Sequence, residues 1–227
     1  LIECMRFWLD KGVDGFRLDT VNFYFHDKKL RDNPANYEPW AENAVRPFEM
    51  QYTLFSKNQL ENLVFIERLR ALLDEYDDRT MVGEVGDSHH SIEIMAYSFE
   101  MLGPDFAPAH FRERIESFFQ MAPNGWPCWA FSNHDVPRHV TRWLEHCEDP
   151  NALAKQAAAL LLSFEGSICI YQGEELGQTD TELSFDELTD PEGINFWPEK
   201  KGRDGCRTPM VWDENAPTAG FSEANRT

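Results

Sequence analysis

Two periodicities alternate along this chain. Residues 1–11, "LIECMRFWLDK", read as the closing turns of an amphipathic helix with Gly12 as its C-terminal cap. The stretch 58–76 is the strongest helical pattern, with Leu69, Leu72, Leu73 and Tyr76 on one face. A further helix is predicted from Pro108 to about Met121, where Phe111, Ile115, Phe118 and Phe119 recur at i, i+4, i+7 and i+8. Asp149-Pro150 predicts the capped start of an Ala/Leu-rich helix to about Phe164. Between these lie short apolar runs with strand character, "GFRLDTV", "TMVGEVG", "AYSFEML", "CWAFSNHD" and "SICIYQGEE". Residues 22–56 show no period, and Pro34, Pro39 and Pro47 interrupt any long element, so a long loop or small insertion is expected there. Apolar strands alternating with helices imply βα units, an α/β class and a parallel sheet. Five strands are too few to close an eight-stranded barrel and suit an open sheet.

Several polar residues break this pattern. Arg17 and Asp19 sit one residue apart in an apolar run, so a strand would turn both to the same face. Asp19, Glu84 and the pair His134-Asp135 each stand near the C-terminal end of such a run. That edge of a βα sheet is where loops converge and sites are built. Each has a plain structural explanation: a simple ion pair for Arg17 and Asp19, a turn for "GEVG", a loop cap for Asp135. Three breaches on successive strands are harder to assign to packing, because buried like charges oppose folding. Gathered carboxylates suit either a hard-metal site of oxygen ligands or glycoside hydrolysis by a carboxylate pair. His89 and His90, near Glu84 and Asp87, match no usual ligand spacing, and no metal site is expected.

Composition narrows the classes. A length of 227 residues, 42% of them hydrophobic, is enough for one large domain with its own core. Seven Trp and 17 Phe could fill that core or line a site for sugar rings. A net charge of −19 without a Lys/Arg stripe argues against nucleic acid and anionic membrane as partners. No stretch reaches the ~20 apolar residues of a membrane span. The five cysteines are scattered and form no C-x-x-C pair, which fits a reducing, cytoplasmic setting better than a disulfide framework.

The segments "GFRLDTVNF", "GEVGD" and "FSNHD" resemble, in order, three signature regions of the α-amylase family of glycoside hydrolases (family 13). The likeness continues in "FHDKKLRDNP", "CIYQGEELG", "DPEGINFWP" and "GRDGCRTPMVW", and points to the α-glucosidase and oligo-1,6-glucosidase branch, bacterial α-glucosidases in particular. The resemblance implies a (β/α)8 TIM barrel, present here in part as about strands 4 to 8, and a retaining mechanism without a cofactor. Asp19 would be the nucleophile, Glu84 the general acid/base, and Asp135 the carboxylate that binds ring hydroxyls and stabilises the transition state. Arg17 and His134 would bind substrate, with Arg17 keeping Asp19 ionised, and Phe23 would pack on the sugar. Arg203 would hold the terminal 4-hydroxyl, with Arg207 the lesser candidate. Substrates would be small oligosaccharides or disaccharides. Thr20, following the nucleophile, points within this branch to α-1,4 bonds and to short substrates such as maltose, sucrose or short oligosaccharides.

The likeness has gaps. The family's upstream Asp-x-x-x-Asn-His region, strands one to three, and the aspartate that partners the Arg203 equivalent would all precede Leu1. A β-rich C-terminal domain would follow Thr227, and the segment between "SIEIM" and "AYSFEML" is short. The whole of 1–227 is therefore expected to be a catalytic barrel fragment that folds poorly alone. The alternatives are a glucosyl-transferring or sucrose-isomerising enzyme using the same residues, and a non-catalytic glucosidase-like partner protein.

Overall fold

The computed structural model describes residues 1–38, 44, 47–85 and 96–223, with the side chains of 96–98 set aside. The chain divides into two compact units, residues 1–98 with 121–126, and residues 99–120 with 127–227.

In the first unit, helix α1 (Ile2–Asp10) buries Met5 and Leu9. It ends as its sequence suggests. Gly12 takes a left-handed φ of +92°, its N–H donates to Leu9 O at 2.9 Å, and Val13 N–H returns to Trp8 O at 3.1 Å. These two bonds satisfy carbonyls that the last helical turn leaves open. Strand β1 (Gly15–Leu18) follows. Helix α2 (Leu60–Leu73) buries Leu69, Leu72 and Leu73, each worth about 1.5–3 kcal/mol once removed from water. Tyr76, expected on that apolar face, is only half-buried and uses its hydroxyl to donate to Asp10 Oδ1 at 2.7 Å. The phenol needs a polar partner, so it sits at the rim.

Strands β2 (Thr80–Val85) and β3 (Ala96–Ser98) complete this unit's parallel sheet, in the order β1-β2-β3. Gly15 lies opposite Thr80 in the ladder, where a Cβ would come within 2.5 Å of Thr80 O, so the close strand approach requires glycine there. Leu18 pairs with Gly83. One step further along the register, Asp19 follows the end of β1 beside Glu84, which is still within β2 and pairs with Tyr97. The loop expected over 22–56 contains a 3-10 turn (Val21–Phe23) and one isolated antiparallel bridge between Ala35 and Gln51 among the described residues. Asp27 anchors its start, accepting from Arg31 Nη2 at 2.7 Å and from Lys29 N–H at 3.1 Å.

In the second unit, helix α3 (Pro108–Met121) matches its predicted span and buries Phe111 and Phe118. Strands β4 (Pro127–Trp129) and β5 (Ser167–Ile168) pair in parallel, Cys128 opposite Ser167. Helix α4 (His139–Trp143) and helix α5 (Pro150–Leu161) lie between them in sequence. Asp149 caps α5, its Oδ1 accepting from Asn151 N–H at 2.9 Å. Helix α6 (Pro191–Phe196) is capped the same way by Asp190. The aromatic residues here are core: Trp129 and Trp143 are buried, and Phe111, Phe131 and Phe164 pack around them. Both indoles find acceptors, Trp129 Nε1 on Glu165 O at 2.8 Å and Trp143 Nε1 on Gly103 O at 3.2 Å.

All five expected strands form, each shorter than its apolar run. The run 128–135 pairs only through Trp129, and Phe131 turns into the aromatic cluster instead. All five cysteines are free. No helix among the described residues is long and apolar enough to cross a membrane.

Candidate active site

The first unit holds a compact carboxylate pair. At the end of β1, Arg17 Nη1 contacts Asp19 Oδ1 in a short ion pair, while Arg17 Nη2 holds Glu84 Oε1 at 2.8 Å. One guanidinium therefore joins both carboxylates. The other Glu84 oxygen, Oε2, accepts the backbone N–H of Thr20 at 2.9 Å. Thr20 delivers that N–H from a left-handed conformation, φ 42° and ψ 46°. For a β-branched residue this costs about 1–3 kcal/mol and persists only where surrounding contacts impose it.

Burial separates these groups. Glu84 is 3% exposed, whereas the Asp19 side chain is 70% exposed and Arg17 is also open. Of the charges expected to be buried on these strands, only Glu84 is. Asp19 lies beyond the last paired residue, Leu18, where the ladder no longer covers it. Burial raises the pKa of Glu84 above the usual carboxylate value; the Thr20 N–H and Arg17 oppose this, and the adjoining Asp19 carboxyl adds to it. Tyr24 lies within the same field. Burial raises its phenol pKa, and the Asp19 charge raises it further.

Phe23 sits in the 3-10 turn with its ring 6.0 Å from Phe48 and with Lys57 Nζ 5.8 Å away over its face. The turn places Phe23 four residues from Asp19 but packs it on the loop. Gly86, Asp87, His89 and His90, together with the short segment 91–95, lie outside the described residues.

The second unit builds a different centre around Asp135. Its Oδ1 accepts from Arg203 Nη1 and from Arg207 Nη2, both at 2.9 Å. Its Oδ2 lies 3.3 Å from His134 Nε2, and its backbone N–H donates to Asn133 Oδ1 at 2.8 Å. Arg207 also donates through Nε to His134 O at 2.7 Å. His134, Asp135 and Arg203 thus come together as expected, and Arg207 stands beside Arg203 as an equal partner of the carboxylate.

Sequence reasoning missed Asp190. Its Oδ2 accepts from Arg203 Nε at 2.9 Å and from Arg203 N–H at 2.8 Å, and its Oδ1 accepts from Arg203 Nη2 at 3.1 Å. Asp190 is 4% exposed, and the Arg203 bond holds its pKa well below the usual carboxylate range. An aspartate upstream of Leu1 is the expected partner of Arg203 at the terminal glucose; Asp190 holds Arg203 within this chain as well. The dipeptide Asp190-Pro191 signals a helix cap, which it is, and nothing local reveals its second task. A cleft of about 740 Å³ opens beside these residues, lined by Asp190, Arg203, Asp204, Arg207, Thr208 and Glu187 among others.

The cation at the centre of each cluster is a guanidinium. Among the described residues no three His, Cys, Asp or Glu side chains converge to hold a metal. A buried, proton-retaining carboxyl beside an exposed, cation-held carboxylate can supply an acid and a nucleophile.

The alpha-amylase catalytic-domain model matches residues 1–226 of this sequence. The chain belongs to the alpha-amylase family. A probable alpha-glucosidase of Rhizobium meliloti (strain 1021) is 52% identical over 242 residues, covering 99% of this chain and 44% of that protein. An oligo-1,6-glucosidase of Heyndrickxia coagulans is 29% identical over 270 residues, covering 98% and 46%. Among solved structures, an alpha-glucosyl transfer enzyme, XgtA, superposes with a TM-score of 0.86 at 48% identity, covering 97% of this chain and 43% of that one. The chain spans less than half the length of these alpha-amylase family relatives. Its fold class is therefore that of a (β/α)8 barrel in part, and the open-sheet reading of five strands gives way to it.

Proposed function

We propose that this chain carries the carboxylates of a retaining α-glucosidase that releases terminal α-linked glucose from short substrates, from the α-1,4 bonds of maltose and short oligosaccharides and from sucrose. One observation carries the proposal: a single guanidinium, Arg17, bridges an exposed Asp19 and a buried Glu84 whose pKa is raised by burial. Two carboxylates on adjoining nitrogens of one planar group favour the short separation of retaining enzymes, ~5–5.5 Å, over the ~6.5–9.5 Å that leaves room for an inverting water.

In this mechanism the Asp19 carboxylate attacks the anomeric carbon while Glu84 gives its proton to the departing glycosidic oxygen. Water then replaces the leaving group. The ionised Glu84 takes a proton from that water as it attacks the glycosyl ester, and Asp19 leaves as a carboxylate. Asp135 accepts hydrogen bonds from ring hydroxyls, and Arg203 reaches the terminal 4-hydroxyl.

The test is the anomer of glucose first formed from p-nitrophenyl α-glucoside, whose leaving group is not a sugar, by the complete gene product, followed by NMR before mutarotation. α-Glucose supports the proposal and β-glucose overturns it. Faster turnover of isomaltose than maltose would remove the α-1,4 assignment drawn from Thr20.

A second reading is glucosyl transfer, favoured by the 48% identity to a protein described as an alpha-glucosyl transfer enzyme. It uses the same covalent intermediate with a sugar or alcohol in place of water. Excess maltose separates the two: longer saccharides mean transfer, glucose alone means hydrolysis.

A further inference from the structure

Three residues beyond Asp135, Arg138 is 1% exposed and takes no part in the chemistry above. Its side-chain hydrogen bonds go to carbonyls: Nη1 donates to Gln172 O at 2.6 Å and Nη2 to Cys206 O at 3.1 Å. The guanidinium lies 4.9 Å from the centre of the Tyr171 ring. Its backbone N–H donates to Asp180 Oδ1 at 2.8 Å. A guanidinium removed from water this completely opposes folding unless its donors are met and its charge is balanced. A packing role alone would be served by an apolar side chain of the same volume.

The carbonyls that Arg138 holds are informative. Cys206 lies between Arg203 and Arg207, the two residues that donate to Asp135 Oδ1. Cys206 O receives a second donor, the Tyr171 hydroxyl at 3.0 Å. Gln172 O belongs to the turn after β5, where Gly173 has φ +86° and a Cβ would lie 2.9 Å from Arg138 Nη1. A left-handed glycine thus leaves the guanidinium its space. Asp135 and its two arginines stand on separate segments of the chain, and Arg138 ties those segments from behind.

We propose that Arg138 is a positioning residue: by gripping Cys206 O and Gln172 O it fixes the Arg203–Arg207 turn against the segment that carries Asp135. Tyr171 supports it as the second donor to Cys206 O. The activity arm of the test rests on the glucosidase reading; the exchange arm does not.

In the complete gene product, Arg138→Lys keeps the charge but cannot span both carbonyls. Misplacing a binding carboxylate by a fraction of an ångström to an ångström is expected to lower kcat/KM on maltose by about 100-fold, with KM rising as well as kcat falling. Tyr171→Phe should give a smaller loss in the same direction. In an Asp135→Asn background the Arg138→Lys change should cost no more than about twofold, because its target has already been disabled. An equal loss in both backgrounds would overturn the proposal. Independently of activity, amide hydrogen exchange should quicken together in residues 132–138 and 203–208 in both variants, with α5 unchanged. Unchanged exchange in either segment, or quickening throughout the chain, would overturn it. If Arg138→Lys does not fold, Tyr171→Phe and its exchange pattern decide the matter.

Discussion

The two units treat the same residue types in opposite ways. In the first, one guanidinium serves two carboxylates, and Glu84 is sealed from water. Burial there raises the Glu84 pKa against the opposing pull of the Thr20 N–H and Arg17. In the second, two guanidinia face Asp135 and Asp190, and the Arg203 bond drives the Asp190 pKa down, not up. Charge there is balanced two against two, and every carboxylate oxygen named has a donor or a histidine nitrogen beside it. At Glu84 burial outweighs the donors and raises the pKa, which suits a proton carrier; at Asp190 the Arg203 hydrogen bonds outweigh burial and lower it, which suits a fixed anchor.

Removing the proton carrier or its partner should break this contrast most severely. Asp19→Asn removes the proposed nucleophile and is expected to lower kcat by about 10⁴-fold or more. Glu84→Gln should cost about 10²–10⁴-fold, less for substrates with good leaving groups that need no protonation. Steady-state rates on maltose and on a nitrophenyl glucoside check both. Comparable losses for Glu84→Gln on the two substrates would deny Glu84 the acid role.

The anchor should matter less. Asp135→Asn keeps the shape and removes the charge proposed to offset positive charge developing on the sugar. A loss of about 10²–10³-fold in kcat/KM is expected, together with a weaker grip by Arg203 and Arg207. If its loss matched that of Asp19→Asn, the two units would not differ as argued.

Stability should reveal the same asymmetry with smaller effects. Burial raises the Glu84 pKa, so the folded state resists ionising it. Below the usual carboxylate range Glu84 is neutral in both states and nothing is lost. At pH 7 the unfolded chain has released that proton at less cost, and folding is penalised. Glu84→Gln should therefore melt higher than the parent at pH 7, and the difference should shrink as pH falls through the ordinary carboxylate range. Asp190 has the opposite sign. Its depressed pKa stabilises the fold above the ordinary aspartate value, and that support is lost on acidification. Asp190→Asn should be destabilised at pH 7 and approach the parent at low pH. Melting curves from pH 3 to 8, a range of about five units around the reference carboxylate values, check both slopes, and parallel curves for the two variants would refute the contrast.

Much of this was legible where sequence neighbours also meet in space. Arg17 and Asp19 share a strand end, α3 spans 108–121 as its phenylalanine spacing predicts, and Asp149 caps α5. The Arg203–Asp190 pair was not legible, because a helix-cap aspartate followed by proline accounts for itself locally and gives no sign of an arginine 13 residues away. Strand lengths were overestimated for a related reason. Apolar composition reports burial, and Phe131 is buried against rings rather than in a ladder. Nor did anything local announce the left-handed Thr20, since β-branched residues resist that conformation.

That residue offers the smallest and sharpest test. Thr20 holds φ 42° at an estimated cost of about 1–3 kcal/mol, and its contribution to Glu84 is a backbone N–H, which any residue except proline retains. Glycine adopts this conformation freely but is more flexible when unfolded, an opposing cost of roughly 0.5–1 kcal/mol. Thr20→Gly should thus be neutral or stabilised by up to ~2.5 kcal/mol, and the alkaline limb of its kcat/KM profile, which the proposal assigns to Glu84, should not move. Thr20→Ala retains a Cβ and should gain nothing. If the limb shifts in Thr20→Gly, the threonine side chain helps set the Glu84 proton affinity, and the cluster around Arg17 has a second device for tuning its acid. If the limb stays and the melting point rises, the strain belongs to the geometry that brings a backbone donor to Glu84, and the fold retains a conformation that glycine would adopt more cheaply.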